Sequence, residues 1–311
     1  MVSFWRCMTI ALIGMSLAGC AGLTQMQDTM TKFDQSTHSV STSETNFFRA
    51  VQAVDCTSSF YWQAIEWARG NSKNFDIVGN CKPSILTDDQ IKTRQALMDA
   101  ITLYADKIEA LATDDNDKTL NADSQTLAGN INSIAKQHKF SDLSTAAAVE
   151  AAVIGISDMV LDQKRFTEIK KSAMAMDSYL TTVVTALKQE NIIFAQGIAS
   201  KIDNIDLALK PIVAAILEKQ TMERFSAVVD ARRILQAANP FGTTPLSQTN
   251  GAADADKDPQ NLAIQLNKAL DSVLIANKAI ANASTGGIIA SVNDLIARAQ
   301  AVQSIQVSLN K

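Results

Sequence analysis

A long row of apolar side chains, recurring at alternating steps of three and four residues, constrains the fold of this chain more than any other feature. The row begins at Phe166, runs past Leu187 and Asn191 in one heptad phase, and ends at Ile212. This spacing places the apolar side chains on one face of an α-helix. A single helix of about 45 residues would be roughly 70 Å long, but a turn near Asn191 fits the same pattern. Pro211 should bend or end the helix that reaches it.

Shorter rows with the same spacing predict further helices on either side. Apolar positions in 97–111 and 120–138 indicate one helical hairpin, and those in 262–280 and 288–302 indicate another, with a tight turn at 284–287. The chain has only 12 Gly and 5 Pro in 311 residues, which disfavours turn-rich β-sandwiches and disorder. The predicted fold class is therefore all-α: an elongated multi-helix bundle with long coiled-coil-like helices.

Breaks in these rows divide the chain into regions. Residues 46–238 form the predicted main bundle, and residues 260–311 form a C-terminal helical hairpin that packs on it. Between them, residues 239–259 hold three of the five prolines and few large apolar side chains, which is typical of a loop or linker. Residues 20–45 are polar, so they are either a tether or the start of the first helix.

The N-terminus has the organisation of an export signal. A cation at Arg6 precedes an apolar stretch at 8–17, which is too short to span a bilayer as a mature helix. The sequence Leu17-Ala18-Gly19-Cys20 resembles the lipobox of bacterial lipoproteins, in which a signal peptidase cuts before the cysteine once a diacylglycerol is attached to its sulfur. The resemblance implies that residues 1–19 are a signal peptide that is removed and that Cys20 becomes the lipidated N-terminus.

The same resemblance implies a place in the cell envelope. Lipoproteins of this family normally carry a third acyl chain, such as palmitate, and two or more chains give lasting attachment where a single chain is marginal. In enteric lipoproteins an Asp after the cysteine retains the protein at the inner membrane, whereas this chain has Ala21 and Gly22. We therefore expect an outer-membrane lipoprotein that faces either the periplasm or the cell exterior.

The signal accounts for two of the four cysteines. Cys7 leaves with the signal peptide and Cys20 is lipidated, so Cys56 and Cys81 remain in an oxidising compartment. An even pair in such a compartment predicts a disulfide that closes the loop 56–81.

The loop 56–81 contains both tryptophans of the mature chain, Trp62 and Trp67. If this region is helical, Phe60 and Tyr61 lie on an apolar face, whereas Trp62 falls on the opposite, polar face. Exposed tryptophan is enriched at interface hot spots, so Trp62 is the candidate contact with a partner. The alternative is that another helix of the bundle covers Trp62, which the number of predicted helices favours.

The most apolar part of the mature chain is segment 144–161. It is either a buried central helix, whose small residues allow close packing, or a helix that inserts into a bilayer, as in α-helical pore formers. Glu150 and Asp158 favour the buried helix, because an ionised side chain at mid-bilayer costs roughly 2.5–3.5 kcal/mol. The large apolar side chains that would carry either role are Val149, Val153, Ile154, Ile156 and Val160.

The sequence predicts no catalytic, metal or cofactor site. It has no GxSxG, HExxH or GxxxxGK[ST] motif, and its two histidines, His38 and His138, have no metal-ligand spacing and no evident nucleophile beside them. The net charge of −4, from 28 Lys and Arg against 32 Asp and Glu, does not suggest a nucleic-acid binder.

These features predict a lipid-anchored envelope protein that is not an enzyme and acts by binding, as a scaffold or an envelope-assembly factor. Its partners would be the membrane, through the N-terminal lipid, and an envelope protein whose identity the sequence does not give. An oligomer fits as well, since a coiled-coil face can be covered by a second chain. The alternative function is a membrane-active helical protein that uses segment 144–161, and a hydrolase with an unrecognised site is the weakest alternative.

Overall fold

A computed structural model describes residues 2–68, 83–113, 166–218, 258–282 and 284–309. All regular secondary structure in these ranges is α-helical. The helices are α1 (Val2–Ala68), α2 (Asp88–Thr113), α3 (Phe166–Glu218), α4 (Pro259–Asn282) and α5 (Thr285–Leu309). The predicted all-α class and multi-helix bundle are confirmed for this part of the chain.

Helices α1 and α2 run antiparallel and define the two ends of the bundle. At one end, the side chain of Gln27 donates a hydrogen bond to the carbonyl of Ala112 (3.0 Å). At the other end, the side chain of Gln52 donates to the carboxylate of Asp88 (2.7 Å). We call the end with Gln27 and Ala112 the near end, and the end with Gln52 and Asp88 the far end.

The remaining helices continue this up-and-down order. Helix α3 runs parallel to α1, α4 returns antiparallel to α3, and α5 runs parallel to α1 again. The contacts that fix these directions are Phe48–Phe194, Asp55–Lys201, Asn191–Asn267, Ala173–Asn277, Ser272–Asp294, Ser39–Gln303 and Ser43–Gln306.

One continuous apolar core connects all five helices. Aromatic side chains join α1 to its neighbours: Phe33 meets Tyr104 edge to face with 6.3 Å between ring centroids, and Phe48 meets Phe194 in the same way at 6.1 Å. Burying one large apolar side chain contributes about 1.5–3 kcal/mol, whereas a helix cap contributes about 1 kcal/mol. The core therefore sets the helix arrangement, and the caps set where helices begin.

Residues 20–45, for which the sequence left a tether or a helix open, lie within α1. Met26, Met30 and Phe33 recur at steps of four and three and are all buried, so apolar packing makes this polar segment helical. Residues 2–19, the predicted signal peptide, belong to the same helix. Their removal stays a prediction.

Helix α3 is continuous, which answers the question of a turn near Asn191. Asn191 is buried in the middle of the helix and donates a hydrogen bond to Asn267 of α4 (3.0 Å). The sequence predicted that Pro211 would bend or end this helix. The helix continues past Pro211 to Glu218, so it does not end at the proline. A proline removes one backbone donor from a helix, and the turns on either side can keep their own hydrogen bonds.

Local capping fixes the starts of α2 and α4. Thr87 and Gln90 form a reciprocal capping box, in which each backbone N–H donates to the other side chain (2.9 and 3.3 Å). Asp258 caps α4 by accepting from the N–H of Gln260 (2.8 Å), with Pro259 at the first helical position. Helices α4 and α5 form the predicted C-terminal hairpin, whereas the predicted helix at 120–138 lies outside the described residues.

Candidate functional site

The carboxylate of Asp55, which is 1% exposed, holds three chain segments together at the far end. It accepts hydrogen bonds from the backbone N–H groups of Ser84 and Ile85 (2.7 Å to Ile85), from the Ser84 hydroxyl (3.0 Å) and from Nζ of Lys201. Burial by itself would raise the pKa of Asp55, but the hydrogen bonds from Lys201, Ile85 and Ser84 outweigh it and lower that pKa. We call these four residues the Asp55 cluster; it fixes α1 to α3 and to the segment before α2.

Cys56 follows Asp55 directly and is disulfide-bonded. Cys81, its predicted partner, lies outside the described residues, so the pairing and the closed loop 56–81 stay predictions. Ser84 is three residues beyond Cys81 in the sequence and contacts Asp55, an arrangement that fits the predicted pairing.

Trp62 lies on α1 beyond the Asp55 cluster and is 64% exposed. Its neighbours Phe60 and Tyr61 are buried and pack edge to face with 5.6 Å between ring centroids. Helical periodicity explains this contrast, since consecutive residues of a helix point about 100° apart. Trp62 thus presents a large apolar surface close to a braced part of the fold, and its contact with a partner stays a prediction.

Glu44 of α1 is fully buried in a polar layer that crosses the middle of the bundle. Among the described side chains, none makes a hydrogen bond of acceptable geometry to either carboxyl oxygen. Burial raises the pKa of Glu44 to about 8; the adjacent Asn191 amide opposes this rise and the charge of Glu190 adds to it. The carboxyl group is therefore mostly protonated at neutral pH.

Amide side chains extend this polar layer from α3 to α4. Asn191 donates to the side-chain oxygen of Asn267 (3.0 Å), and the Asn267 amide donates to the backbone carbonyl of Lys188 (3.1 Å). The side-chain oxygen of Asn191 has no donor among the described residues. A protonated Glu44 carries a hydroxyl that can serve as that donor.

A buried ion pair completes the polar layer between α2 and α3. Arg94 donates two hydrogen bonds to the carboxylate of Glu190, at 2.5 and 2.8 Å, and a third to the carbonyl of Gln90 at 2.9 Å. Its guanidinium also lies 5.1 Å from the ring centroid of Phe194. This bidentate geometry offsets the cost of burying both charges, and it fixes the register of the two helices.

A histidine and two carboxylates meet between α1 and α2, towards the near end. Nε2 of His38 lies 2.7 Å from Oδ1 of Asp106 and 3.6 Å from Oδ1 of Asp34. Burial, followed by the hydrogen bond and charge of Asp106, raises the pKa of Asp34 to about 7, and the hydrogen bond to Asp106 raises that of His38. Within the described ranges, these three side chains are the group able to hold a metal ion. We call them the His38 cluster.

Several residues singled out from the sequence fall outside what the structure describes. Cys20 lies within α1, and its lipidation stays a prediction. Segment 144–161 lies outside the described residues, as do its large side chains Val149, Val153, Ile154, Ile156 and Val160. None of the described helices is both long and apolar enough to cross a membrane.

Comparisons with known proteins assign no relative to this chain. No family model, no curated protein and no solved structure matches it. Sequence reasoning missed the His38 cluster, although Asp34 and His38 are four residues apart, a spacing that places two side chains on one helix face.

Proposed function

We propose that the protein is a lipid-anchored cell-envelope lipoprotein with a non-catalytic binding role. The lipid on Cys20 would hold the near end of the bundle at the membrane, and Trp62 would contact a protein partner at the far end. The lipobox at 17–20 supports the anchor, and the 64% exposure of Trp62 carries the binding role.

The anchor would lie close to the folded core. Met26, the first buried side chain of α1 among those that the structure describes, follows Cys20 by six residues, which is about 9 Å along a helix. Because α1 is helical throughout this stretch, little slack separates the lipid from the bundle. The near end would therefore stay at the membrane surface.

The partner contact would lie well away from the membrane. Trp62 follows Cys20 by 42 residues in the same helix, which is about 63 Å. The Asp55 cluster, two turns before Trp62, restrains this part of α1 against α3. A rigidly held aromatic side chain loses little conformational entropy on binding, which suits a partner contact.

The remaining parts of the proposal follow from the sequence. Ala21 in place of Asp favours the outer membrane, where the protein would act as a scaffold or an assembly factor. We further propose that it is not an enzyme, that it does not bind nucleic acid, and that a second copy can serve as its partner. The photocrosslinking experiment below tests the second copy as a partner.

The anchor is tested by two cysteine variants. Cys20→Ser should abolish labelling by a palmitate analogue and leave residues 1–19 attached, because the predicted cut requires the lipid on the cysteine. Cys7→Ser is the matched control, because that cysteine lies in the predicted signal peptide and should leave labelling unchanged. Equal labelling of the Cys20→Ser protein would reject the lipid anchor.

The partner contact is tested by photocrosslinking in cells that make the lipidated protein. A photoreactive residue at the exposed position Gln63 should capture one defined envelope protein or a second copy, and Trp62→Ala should remove that product. A photoreactive residue at Ile193, which is 63% exposed on α3, is the control for nonspecific capture. A product that persists with Trp62→Ala would reject the proposed contact.

One observation favours membrane activity as the second candidate function. Helix α2 ends at Thr113 beside Gln27, and α3, which runs parallel to α1, begins at Phe166. The chain that contains segment 144–161 is therefore connected at the near end, where the lipid would be. If the segment inserts, Ile154→Lys should abolish dye leakage from liposomes, whereas Ile193→Lys should not; absence of leakage from the unmodified protein would reject this function.

A further inference from the structure

We propose that Asp34, His38 and Asp106 form a binding site for a divalent cation of the zinc class, between α1 and α2. His38 supplies an imidazole nitrogen, and the two aspartates supply carboxylate oxygens. This combination of ligands is typical of zinc and its neighbours among the transition metals, whereas magnesium and calcium prefer oxygen ligands alone.

The positions of the ligand atoms fit such an ion. The three atoms all lie within 4.8 Å of one another, with Nε2 of His38 at 2.7 Å from one carboxylate oxygen and 3.6 Å from the other. An ion with ligands at about 2.1 Å separates neighbouring ligand atoms by about 3.0 Å at right angles and about 3.4 Å in a tetrahedron. Small side-chain rotations would therefore suffice to admit the ion.

A buried carboxylate oxygen independently points to a missing ligand. Asp34 is 9% exposed, and its Oδ1 lies 3.6 Å from Nε2 of His38, beyond hydrogen-bond distance, with no described donor except a proton shared with the Asp106 carboxylate. A buried carboxylate oxygen without a donor is costly, and a cation bound to it would remove that cost. Asp34 and Asp106 also repel each other as anions, a repulsion that a divalent cation would relieve.

The surroundings of the site allow an ion to enter and to keep water ligands. His38 is half exposed and Asp106 is 40% exposed, so the site opens to solvent on one side. The negative charge of Glu109 acts on both Asp34 and His38 and would favour a nearby cation. Three protein ligands leave at least one coordination position for water.

The site is tested by titrating Zn²⁺ into the full-length protein in detergent at pH 7 and measuring the heat of binding. We expect one Zn²⁺ per chain and, because an imidazole ligand is lost, an affinity about 100-fold weaker for His38→Ala. Asp106→Asn and Asp34→Asn should weaken binding by at least about tenfold. His138→Ala changes the other histidine of the chain and should leave the affinity within a factor of two.

A separate variant distinguishes metal binding from a purely structural role of His38. His38→Gln keeps a side-chain donor for Asp106 but lacks the imidazole nitrogen. Excess Zn²⁺ should raise Tm of the unmodified protein by about 5 °C at a hundredfold excess over Kd and should not raise that of His38→Gln. Circular dichroism without metal confirms that the variants are folded.

Three results would overturn the proposal. The first is equal Zn²⁺ affinity of the unmodified and His38→Gln proteins, and the second is loss of binding in His138→Ala. The third is displacement of Zn²⁺ by equimolar Mg²⁺ or Ca²⁺, which would exclude a nitrogen ligand. Each result is independent of the lipid anchor and of the contact at Trp62.

Discussion

Helix α1 buries Glu44 and Asp55, eleven residues apart, almost completely, and the hydrogen-bond donors around the two carboxyl groups differ. Asp55 receives two backbone N–H groups, a hydroxyl and a lysine, and its pKa is lowered. Glu44 has no hydrogen bond from the described side chains, and its pKa is raised to about 8. Both residues are almost completely shielded from water, but Asp55 lies nearer the protein surface than Glu44, so the partners and the depth of burial together decide which carboxyl is charged. The charged one braces the bundle, and the neutral one weakens it once it ionises.

The largest expected effect follows from removing the charged member of this comparison. Asp55→Ala leaves Lys201 without its carboxylate and two backbone N–H groups without an acceptor. Breaking a buried, hydrogen-bonded ion pair costs about 3–5 kcal/mol. Urea denaturation of the protein without residues 1–20, which carries no lipid, should show this loss in the free energy of unfolding. A loss below about 1 kcal/mol, the range of exposed ion pairs, would contradict the role of the Asp55 cluster in holding α1 to α3.

The next effect concerns Glu44 and depends on pH. Because its pKa is raised from 4.5 to about 8 on folding, its contribution is favourable below pH 4.5 and is lost as the pH rises towards 8. Glu44→Gln removes this titration, so the variant should gain about 4 kcal/mol relative to the unmodified protein between pH 4.5 and pH 8. Urea denaturation at several pH values measures the gain. Asp28→Asn, at an exposed position, is the control, and parallel stability curves for Glu44→Gln and the unmodified protein would contradict the raised pKa of Glu44.

Acidification sharpens the contrast between the two carboxyls. The lowered pKa of Asp55 means that its stabilisation is present above the unfolded value of 3.8 and is lost as the pH falls through the lower, folded value. The stability difference between the unmodified protein and Asp55→Asn should therefore shrink below pH 4. If this stability difference grows on acidification, the pKa of Asp55 is raised and not lowered by folding.

A third buried polar group, the hydroxyl of Tyr104, tests whether hydrogen-bond partners also decide the stability contribution of neutral side chains. The hydroxyl of Tyr104 donates to the side-chain oxygen of Asn277, whose amide donates to the carbonyl of Ala173 (3.2 Å). Tyr104→Phe removes the donor and leaves a buried acceptor unpaired, which costs about 1–3 kcal/mol. Thermal unfolding measures this cost. Tyr179→Phe, at an exposed tyrosine of α3, should have almost no effect. Equal effects of the two variants would contradict a stabilising hydrogen bond between Tyr104 and Asn277.

The smallest effect is expected for an exposed ion pair. Lys188 lies 2.6 and 2.7 Å from the two carboxylate oxygens of Asp271, but both side chains are substantially exposed to water. Such pairs contribute about 0–1 kcal/mol and are screened by salt. Asp271→Ala should therefore change the free energy of unfolding little, and less still in 0.5 M NaCl. A loss as large as that of Asp55→Ala would show that burial does not decide how much an ion pair contributes to the free energy of unfolding.

The helical fold could be predicted because it depends on local spacing. The apolar rows that end near Ile212 and Val302 predicted helices where α3 and α5 occur, and the proline-containing stretch ends at Pro259, where α4 begins. Thr87 and Gln90 also have the spacing of a capping box, which could have been read from the sequence. The residues that form each of these patterns lie within a few helical turns of one another.

The candidate sites could be predicted only in part, because they join helices that are far apart in sequence. Helical periodicity placed Trp62 on the polar face of its helix, but the number of predicted helices favoured a covered side chain, and that expectation is wrong, because Trp62 is 64% exposed. The pairing of His38 with Asp106, or of Asp55 with Lys201, depends on the alignment of neighbouring helices, which a single sequence does not encode locally. Likewise, Glu44 looks like an ordinary polar residue until the helices that cover it are known.

The unbroken course of α1 would make the proposed lipid-anchored protein a spacer of fixed length. If Cys20 is lipidated and Trp62 contacts a partner, the height of that contact above the membrane would be set by the number of residues between them, because one helix carries both. Tilting a rod of about 63 Å by 10° moves its tip sideways by about 11 Å. A tilt of the bundle would therefore displace Trp62 relative to a partner anchored elsewhere in the envelope. A heptad inserted into every helix would raise the contact by about 10 Å.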